Sequence, residues 1–193
     1  ILMSKEQMRR ALIRISHEIL ERNQGVDDMM LVGVHTRGVP IAKRVQTIIQ
    51  GFEGKNVPVG ALDFRFYRDD LKDTQSIGES QTLIPFDITD KNIVLVDDVL
   101  FTGRSIRAAM EALIDIGRPK SIQLAVLVDR GHRQLPLRAD YVGKNIPTSL
   151  KERVDVLLSE IDGYDSVVLK ESDIGSNKTR TKVQDLESLI SRK

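Results

Sequence analysis

The sequence has no cysteine. That excludes a disulfide scaffold and cysteine chemistry of any kind, and it suits a cytoplasmic protein. No apolar run approaches ~20 residues, so no membrane span is expected, and the first residues lack a secretory signal pattern. An excess of one charge is also missing: 29 Lys and Arg against 28 Asp and Glu give a formal net charge of +1. Such a balance predicts no overall attraction to nucleic acid and leaves only the local distribution to matter. No internal repeat occurs, and the G-x-x-x-x-G-K-S/T pattern of a nucleoside-triphosphate P-loop is absent. What remains is a chain of 193 residues, 40% hydrophobic and 30% charged, the length and composition of one soluble globular domain with a real core.

The most informative segment is Ile93-Val94-Leu95-Val96-Asp97-Asp98-Val99-Leu100-Phe101-Thr102-Gly103-Arg104-Ser105. Four apolar residues predict a strand buried on both faces, with two carboxylates at its carboxyl end. A short turn follows, and a helix opens at Arg104. In an open parallel sheet, ligands bind outside the carboxyl ends of strands. A helix N-terminus offers unpaired N–H groups and a positive dipole end to a phosphate. Gly103 allows close backbone approach, and the Thr102 and Ser105 hydroxyls add donors. Asp97 and Asp98 suit sugar hydroxyls or hydrated Mg²⁺. A ribose 5-phosphate with a metal-bound group at its other end satisfies all of these features. The competing reading is an ordinary strand–turn–helix whose aspartates cap the helix, but a cap needs one acceptor rather than two adjacent carboxylates.

Around this run the chain alternates strands and helices, which argues a mainly parallel α/β sheet. Ser4-Lys5-Glu6-Gln7 has the form of a capping box. Met8, Leu12, Ile15 and Ile19 then recur at helical spacing, and the helix is expected to end near Asn23-Gln24-Gly25. Met29–Val34 is expected as a buried strand, His35-Thr36-Arg37-Gly38 as its loop, and 39–50 as the crossover helix. Residues 57–67 are expected as a strand, and 68–85 as a long mobile loop or hairpin. Arg104–Ile116 reads as a helix stopped by Gly117, with strands over 122–128, 141–143 and 154–158. Residues 1–172 are expected as the domain. Residues 173–193 form a polar tail with a short helical pattern in Val183, Leu186, Leu189 and Ile190. Arg37 presents a fork of donors that matches a phosphate, though the tetrapeptide around it also reads as a plain βα turn.

The 93–105 run resembles the 5-phosphoribosyl-1-pyrophosphate (PRPP) motif of type I phosphoribosyltransferases. The resemblance implies that fold: a central mainly parallel sheet flanked by helices, with a small hood and a flexible loop. It places a pyrophosphate loop at Thr36 and Arg37, and a closing loop that opens with Tyr67-Arg68-Asp69-Asp70-Leu71. Arg68 or Lys72 would approach the pyrophosphate from that loop; a salt-bridged surface hairpin is the alternative. Hypoxanthine-type relatives carry an aspartate immediately before Thr-Gly. Here that position is Phe101, which disfavours a 6-oxopurine. Tyr67–Leu71, Val94–Ser105, Leu127–Arg133 and Ala139–Thr148 together resemble the PyrR family, over about Ser4 to Glu171.

That resemblance implies uracil + PRPP → UMP + pyrophosphate with Mg²⁺, and regulation of pyrimidine-operon transcription. Asp97, Asp98 and Arg37 would be catalytic, with the two aspartates holding the metal through water. Thr36, Arg37, Asp97, Asp98, Val99, Leu100, Phe101, Thr102, Gly103, Arg104 and Ser105 would bind PRPP. Arg130 and the Val154 backbone would frame uracil beneath the hood, although Arg130 also reads as a surface arginine paired with Asp129. Residues 1–22 carry five Lys and Arg against three Glu, and 130–153 carry six against two acids. From charge alone these are solvated faces. The resemblance instead implies binding of the operon messenger RNA leader, favoured by UMP or UTP, through Arg14, His17, Arg22, Arg133, Arg138 and Lys144 on a homo-oligomer. Ile13 departs from a threonine expected in RNA-binding members and removes a hydrogen-bonding group. Two other readings stay open: an RNA attenuator that senses nucleotides with little turnover, and a phosphoribosyltransferase with no RNA role.

Overall fold

Apolar runs with no polar face need cover on both sides, and a central position in a parallel sheet supplies it. In the computed structural model, which describes residues 1–68 and 79–171, such runs form the centre of one parallel sheet of five strands. The strands are β2 (Met29–Val34), β3 (Val59–Leu62), β4 (Asn92–Leu100), β5 (Ser121–Asp129) and β6 (Tyr141–Asn145), in the order β3-β2-β4-β5-β6. Helices α1 (Lys5–Asn23) and α2 (Gly38–Glu53) cover one face, and α3 (Arg104–Ile116) covers the other. A second, antiparallel sheet of three strands, β1 (Met3–Ser4), β8 (Ser166–Glu171) and β7 (Glu152–Leu157), forms the hood with the short α4 (Ser159–Asp162). Met3, Val154, Val156, Leu158 and Val167 of the hood are buried in the same core as α1 and α2. Among the described residues no helix is long and apolar enough to cross a membrane.

Local chemistry accounts for most boundaries. Ser4 accepts from the Gln7 N–H while the Ser4 N–H donates to Gln7 Oε1 at 2.8 Å, so the expected capping box starts α1. Gln24, in the left-handed region at φ 55°, ends it. Helix α3 has the expected bounds, and α2 is slightly longer than expected at both ends.

Two expectations need correction. Strand β4 continues through Leu100, so Asp97 and Asp98 lie on the strand rather than after it. The reason is β5, which pairs with β4 as far as Leu100↔Asp129. The strand expected over 57–67 is also shorter: β3 stops at Leu62. The buried Asp63 carboxylate there accepts both the Arg65 N–H (3.1 Å) and its guanidinium (2.6 Å), folding Arg65–Tyr67 into one 3₁₀ turn. Beyond that turn, Leu83 returns to bridge Ala61 antiparallel. The loop segment 69–78, with Asp69, Asp70, Leu71 and Lys72, and the tail 172–193 lie outside the described residues.

The junction of β2, β4 and α2 is packed at glycine distance. A Cβ on Gly38 would lie 2.2 Å from the Val96 carbonyl oxygen, and one on Gly33 would lie 2.5 Å from the Val39 Cα. Helix α2 therefore rests directly on the sheet backbone. Gly38→Ala is expected to cost about 1–3 kcal/mol through overpacking, read as a lower urea midpoint at unchanged m-value. An unchanged midpoint would show that the junction can yield.

Candidate active site

The sheet order reverses between β2 and β4, since β2 leads outward to β3 on one side and β4 leads to β5 and β6 on the other. Such a reversal opens a crevice at the carboxyl ends of the two strands. The β2–β4 ladder stops at Gly33↔Val96, while β4–β5 pairing continues. Asp97 and Asp98 are the first residues past that parting. The Asp98 N–H donates to Asp97 Oδ1 at 2.9 Å, and the Val99 N–H donates to Asp98 Oδ1 at 2.8 Å. Asp97 is only 9% exposed. Burial, and then the charge of Asp98, hold its carboxyl well above the usual carboxylate range. Burial also raises Asp98, opposed by its hydrogen bonds to Asp97 and the Val99 N–H and by the positive charge of Arg37.

Beside the pair lies a cleft of about 390 Å³ lined by Arg68, Asp97, Val99, Leu100, Phe101, Thr102, Gly103, Arg104, Ser105, Ile106 and Gln134. The expected phosphate-binding residues after Asp98 are thus gathered around one space with Asp97 and Arg68. Gly103 is the N-cap of α3 at φ +92°, a backbone state that favours glycine. With no side chain of its own, it leaves the first-turn N–H groups of α3 directed at the cleft. Thr102 Oγ1 accepts the Arg104 N–H at 3.4 Å, and the Thr102 carbonyl accepts the Gln134 N–H at 2.9 Å. Gln134, which sequence reasoning passed over, also takes the Arg104 guanidinium at 2.8 Å and so ties the turn to the chain after β5.

Thr36 and Arg37 lie across the crevice at the end of β2, where the His35–Thr36 peptide is cis. Arg37 is the N-cap of α2, and its guanidinium donates to Asp162 of α4 at 3.0 Å. Neither Asp162 nor this link is evident from sequence, where the only signal is the acidic run Ser159-Glu160-Ile161-Asp162-Gly163-Tyr164-Asp165. Arg130 is not a surface arginine paired with Asp129: it is 6% exposed, and Asp129 pairs with Arg133. The Arg130 guanidinium donates to Thr148 Oγ1 (3.0 Å), the Ser149 carbonyl (2.9 Å) and the Glu152 carbonyl (2.6 Å), and it stacks 4.1 Å over the Phe101 ring. Burial lowers its pKa. It thereby braces the segment entering β7, which carries the buried Val154, against Phe101 in the turn before α3.

The basic residues fall into two groups. Arg14 donates to the Val142 and Gly143 carbonyls, Arg22 pairs with Asp140 at 2.5 Å, and Lys144 donates to the Leu2 carbonyl, all along the seam between α1, β6 and the N-terminus. Arg133 and Arg138 line a second, open cleft of about 580 Å³ with Arg130, His132 and Thr148. Arg133 bonds the Phe101 and Leu137 carbonyls, whereas Arg138 is exposed. His17 turns the other way and stacks on Phe52 of α2 at 4.1 Å. Ile13 is half-buried.

A carboxyl whose folded pKa lies above its unfolded value destabilises the fold as pH rises from the unfolded pKa through the folded one. Asp97→Asn is therefore expected to raise stability by about 1 kcal/mol at pH 7, with the gain vanishing below about pH 4. Urea unfolding at both pH values checks this. A variant less stable at pH 7 would show that the ionised carboxylate is held by favourable contacts.

The family pattern for the phosphoribosyl transferase domain matches residues 2–158. Among solved structures, a hypoxanthine phosphoribosyltransferase from Staphylococcus aureus superposes with a TM-score of 0.61 at 21% identity, covering 76% of this chain and 77% of that one. The enzyme of the same name from Trypanosoma cruzi, in complex with the product IMP, gives 0.61 at 18% identity, covering 77% of each chain. At those identities the likeness is one of fold. Sequence relatives are much nearer. "Bifunctional protein PyrR" of Caldicellulosiruptor bescii is 60% identical over 173 residues, 89% of this chain and 95% of that protein. Its namesake in Thermus thermophilus is 60% identical over 171 residues, covering 88% and 94%. The fold is thus shared with distant phosphoribosyltransferases, but identity at this level over nearly the whole length is not, and the chain belongs to the PyrR family.

Proposed function

We propose that the chain transfers the phosphoribosyl group of PRPP to uracil, giving UMP and pyrophosphate, and that it regulates pyrimidine-operon transcription by binding the messenger RNA leader under control of UMP or UTP. The observation that carries the enzymatic part is the adjacent pair of buried Asp97 and half-buried Asp98 beside the N-terminus of α3, whose N-cap Gly103 has no side chain, with Phe101 where an aspartate would suit a 6-oxopurine. In this reading the α3 N–H groups and the Thr102 and Ser105 hydroxyls hold the 5-phosphate. Asp97 and Asp98 accept from the ribose hydroxyls and stand close to the developing ribosyl cation. Arg37 receives the leaving pyrophosphate, Thr36 lies in the same loop, and Arg68 comes from the mouth of the cleft. Backbone groups near Val154 and Arg130 read the base edge, and the ring of Phe101 limits its size. Such catalysis is positioning and electrostatics, with no covalent nucleophile.

The donor set fits Mg²⁺. Among the described residues no cluster of three or more acidic, histidine or cysteine side chains forms a closed metal cage. Two adjacent carboxylates suit an ion that keeps its waters and binds substrate oxygens. Bound Mg²⁺ would neutralise charge on the pyrophosphate. The same reading makes the protein a cytoplasmic homo-oligomer. For RNA, exposed Arg138 and the α1–β6 seam with Arg14, Arg22 and Lys144 supply cations, while Arg133 supports the second cleft from within and His17 stands on the far flank of α1.

Asp97→Asn combined with Asp98→Asn is expected to abolish UMP formation, while the parent uses uracil and not hypoxanthine. Near-normal turnover in the double variant, or equal use of hypoxanthine, would overturn the assignment. Arg138→Ala is expected to weaken leader RNA uniformly across sequences and to lower the salt slope by about one, with turnover unchanged. Filter binding with and without UMP measures this, and a parent that never binds the leader RNA refutes the regulatory part.

A further inference from the structure

The acidic turn of the hood grips α2 at two points. The Arg44 guanidinium on α2 donates to Ser159 Oγ at 3.0 Å and to Asp165 Oδ1 at 2.6 Å, and it pairs with Glu160. This clamp fixes the turn relative to the helix. At the N-terminus of the same helix, Arg37 donates to Asp162 Oδ1 at 3.0 Å. Asp162 is itself held from two sides. Its Oδ2 accepts the Leu158 N–H at 2.9 Å, and its own N–H donates to the Leu158 carbonyl at 2.6 Å. One carboxylate oxygen therefore faces Arg37 from a rigid mount. The side chains of Arg37 and Asp162 are 28% and 20% exposed, against 59% and 50% for the surface pair Arg9–Glu6. Screening is weaker there, and the geometry is better kept.

A guanidinium has five N–H donors in a fixed fork, and Asp162 engages it through one nitrogen. Among the described residues the fork makes no other hydrogen bond, so its remaining donors stay available to an anion. An unheld arginine must lose its rotamer freedom when it meets an anion, whereas one already tethered has lost it beforehand. We propose that Asp162 is a positioning residue: it presets Arg37 for the pyrophosphate group, and so sets the affinity for PRPP from the hood. The inference rests on the reading of Arg37 above. It makes the hood part of the diphosphate site as well as the cover of the base.

Steady-state kinetics with Mg²⁺, PRPP and uracil, on full-length parent, Asp162→Ala, Asp162→Asn, Arg37→Ala and the double alanine variant, test it. Calorimetric titration with Mg²⁺ and inorganic pyrophosphate on the same proteins adds a readout that needs no turnover. Asp162→Ala is expected to raise the KM for PRPP and the pyrophosphate Kd about tenfold, the scale of one charged hydrogen bond. The KM for uracil should stay within about twofold, and Asp162→Asn should fall between parent and alanine. In the Arg37→Ala background, removing Asp162 should change neither PRPP nor pyrophosphate binding. An unchanged or tighter pyrophosphate Kd in Asp162→Ala overturns the proposal, as does an equal rise in KM for both substrates, or an effect that persists without Arg37. A parent that binds pyrophosphate but forms no UMP would fail the enzymatic reading alone, and its pyrophosphate Kd values would still decide the role of Asp162.

Discussion

The site depends on the parting of β2 from β4 after Val96. Up to that residue the two strands share a ladder. Beyond it the N-terminus of α2 takes the place of the neighbouring strand, with Gly38 pressed against the Val96 carbonyl so closely that no side chain fits. Strand β4 continues alone against β5 and carries Asp97 and Asp98 into the opening. Had β2 run on, those carboxylates would be lost in a continuous sheet. Had α2 stood farther off, Arg37 would not face them. The contact between glycine and carbonyl thus sets the width of the crevice and the distance between its negative and positive walls.

That arrangement has an electrostatic cost. Burial displaces both adjacent carboxyls upward, and the charge of Asp98 adds to the shift of Asp97. The surrounding groups offset this only in part: backbone N–H groups at Asp98 and Val99, and the charge of Arg37. A site of this kind is poised for a ligand that brings hydroxyl donors and divalent charge. Its destabilised resting state is the usual consequence of preorganisation for binding.

The hood is held by charge as well as by its apolar face. Val154, Val156 and Val167 bury into the main core, and Arg44 and Arg37 join α2 to the acidic turn around α4. On the other flank Arg130 gathers the segment 148–152 and lies flat on Phe101. Arg130 and Arg44, each with several oxygen partners, act here as rigid struts, because a planar fork satisfies several acceptors in one orientation. Phe101, in the turn before α3, is therefore positioned by Arg130, which sequence alone leaves also readable as a surface charge.

Features whose physics is contained within a few residues were legible in the sequence: the capping box at Ser4, the helical spacing that makes α1, the apolar run of β4, and the glycine that starts α3 and the one that ends it. Each depends on backbone sterics, periodicity or a turn, which act locally. The family resemblance added the roles proposed for Arg37, the aspartates and Phe101. Partner choice was not legible. The break after β3 follows from Asp63 meeting Arg65 in a buried setting, where an alternating pattern predicts a longer strand. Asp129 could pair with Arg130 or Arg133, and only the inward turn of Arg130 decides it. Asp162 reaches Arg37 because β8 pairs with both β1 and β7 and closes the hood over α2. Sequence by itself determined the elements of the main sheet and its helices and the chemical groups they carry, but not β1, β8 or α4 of the hood. Tertiary structure decided which charges meet, because an ion pair depends on distance and burial, and those are settled only when distant segments pack.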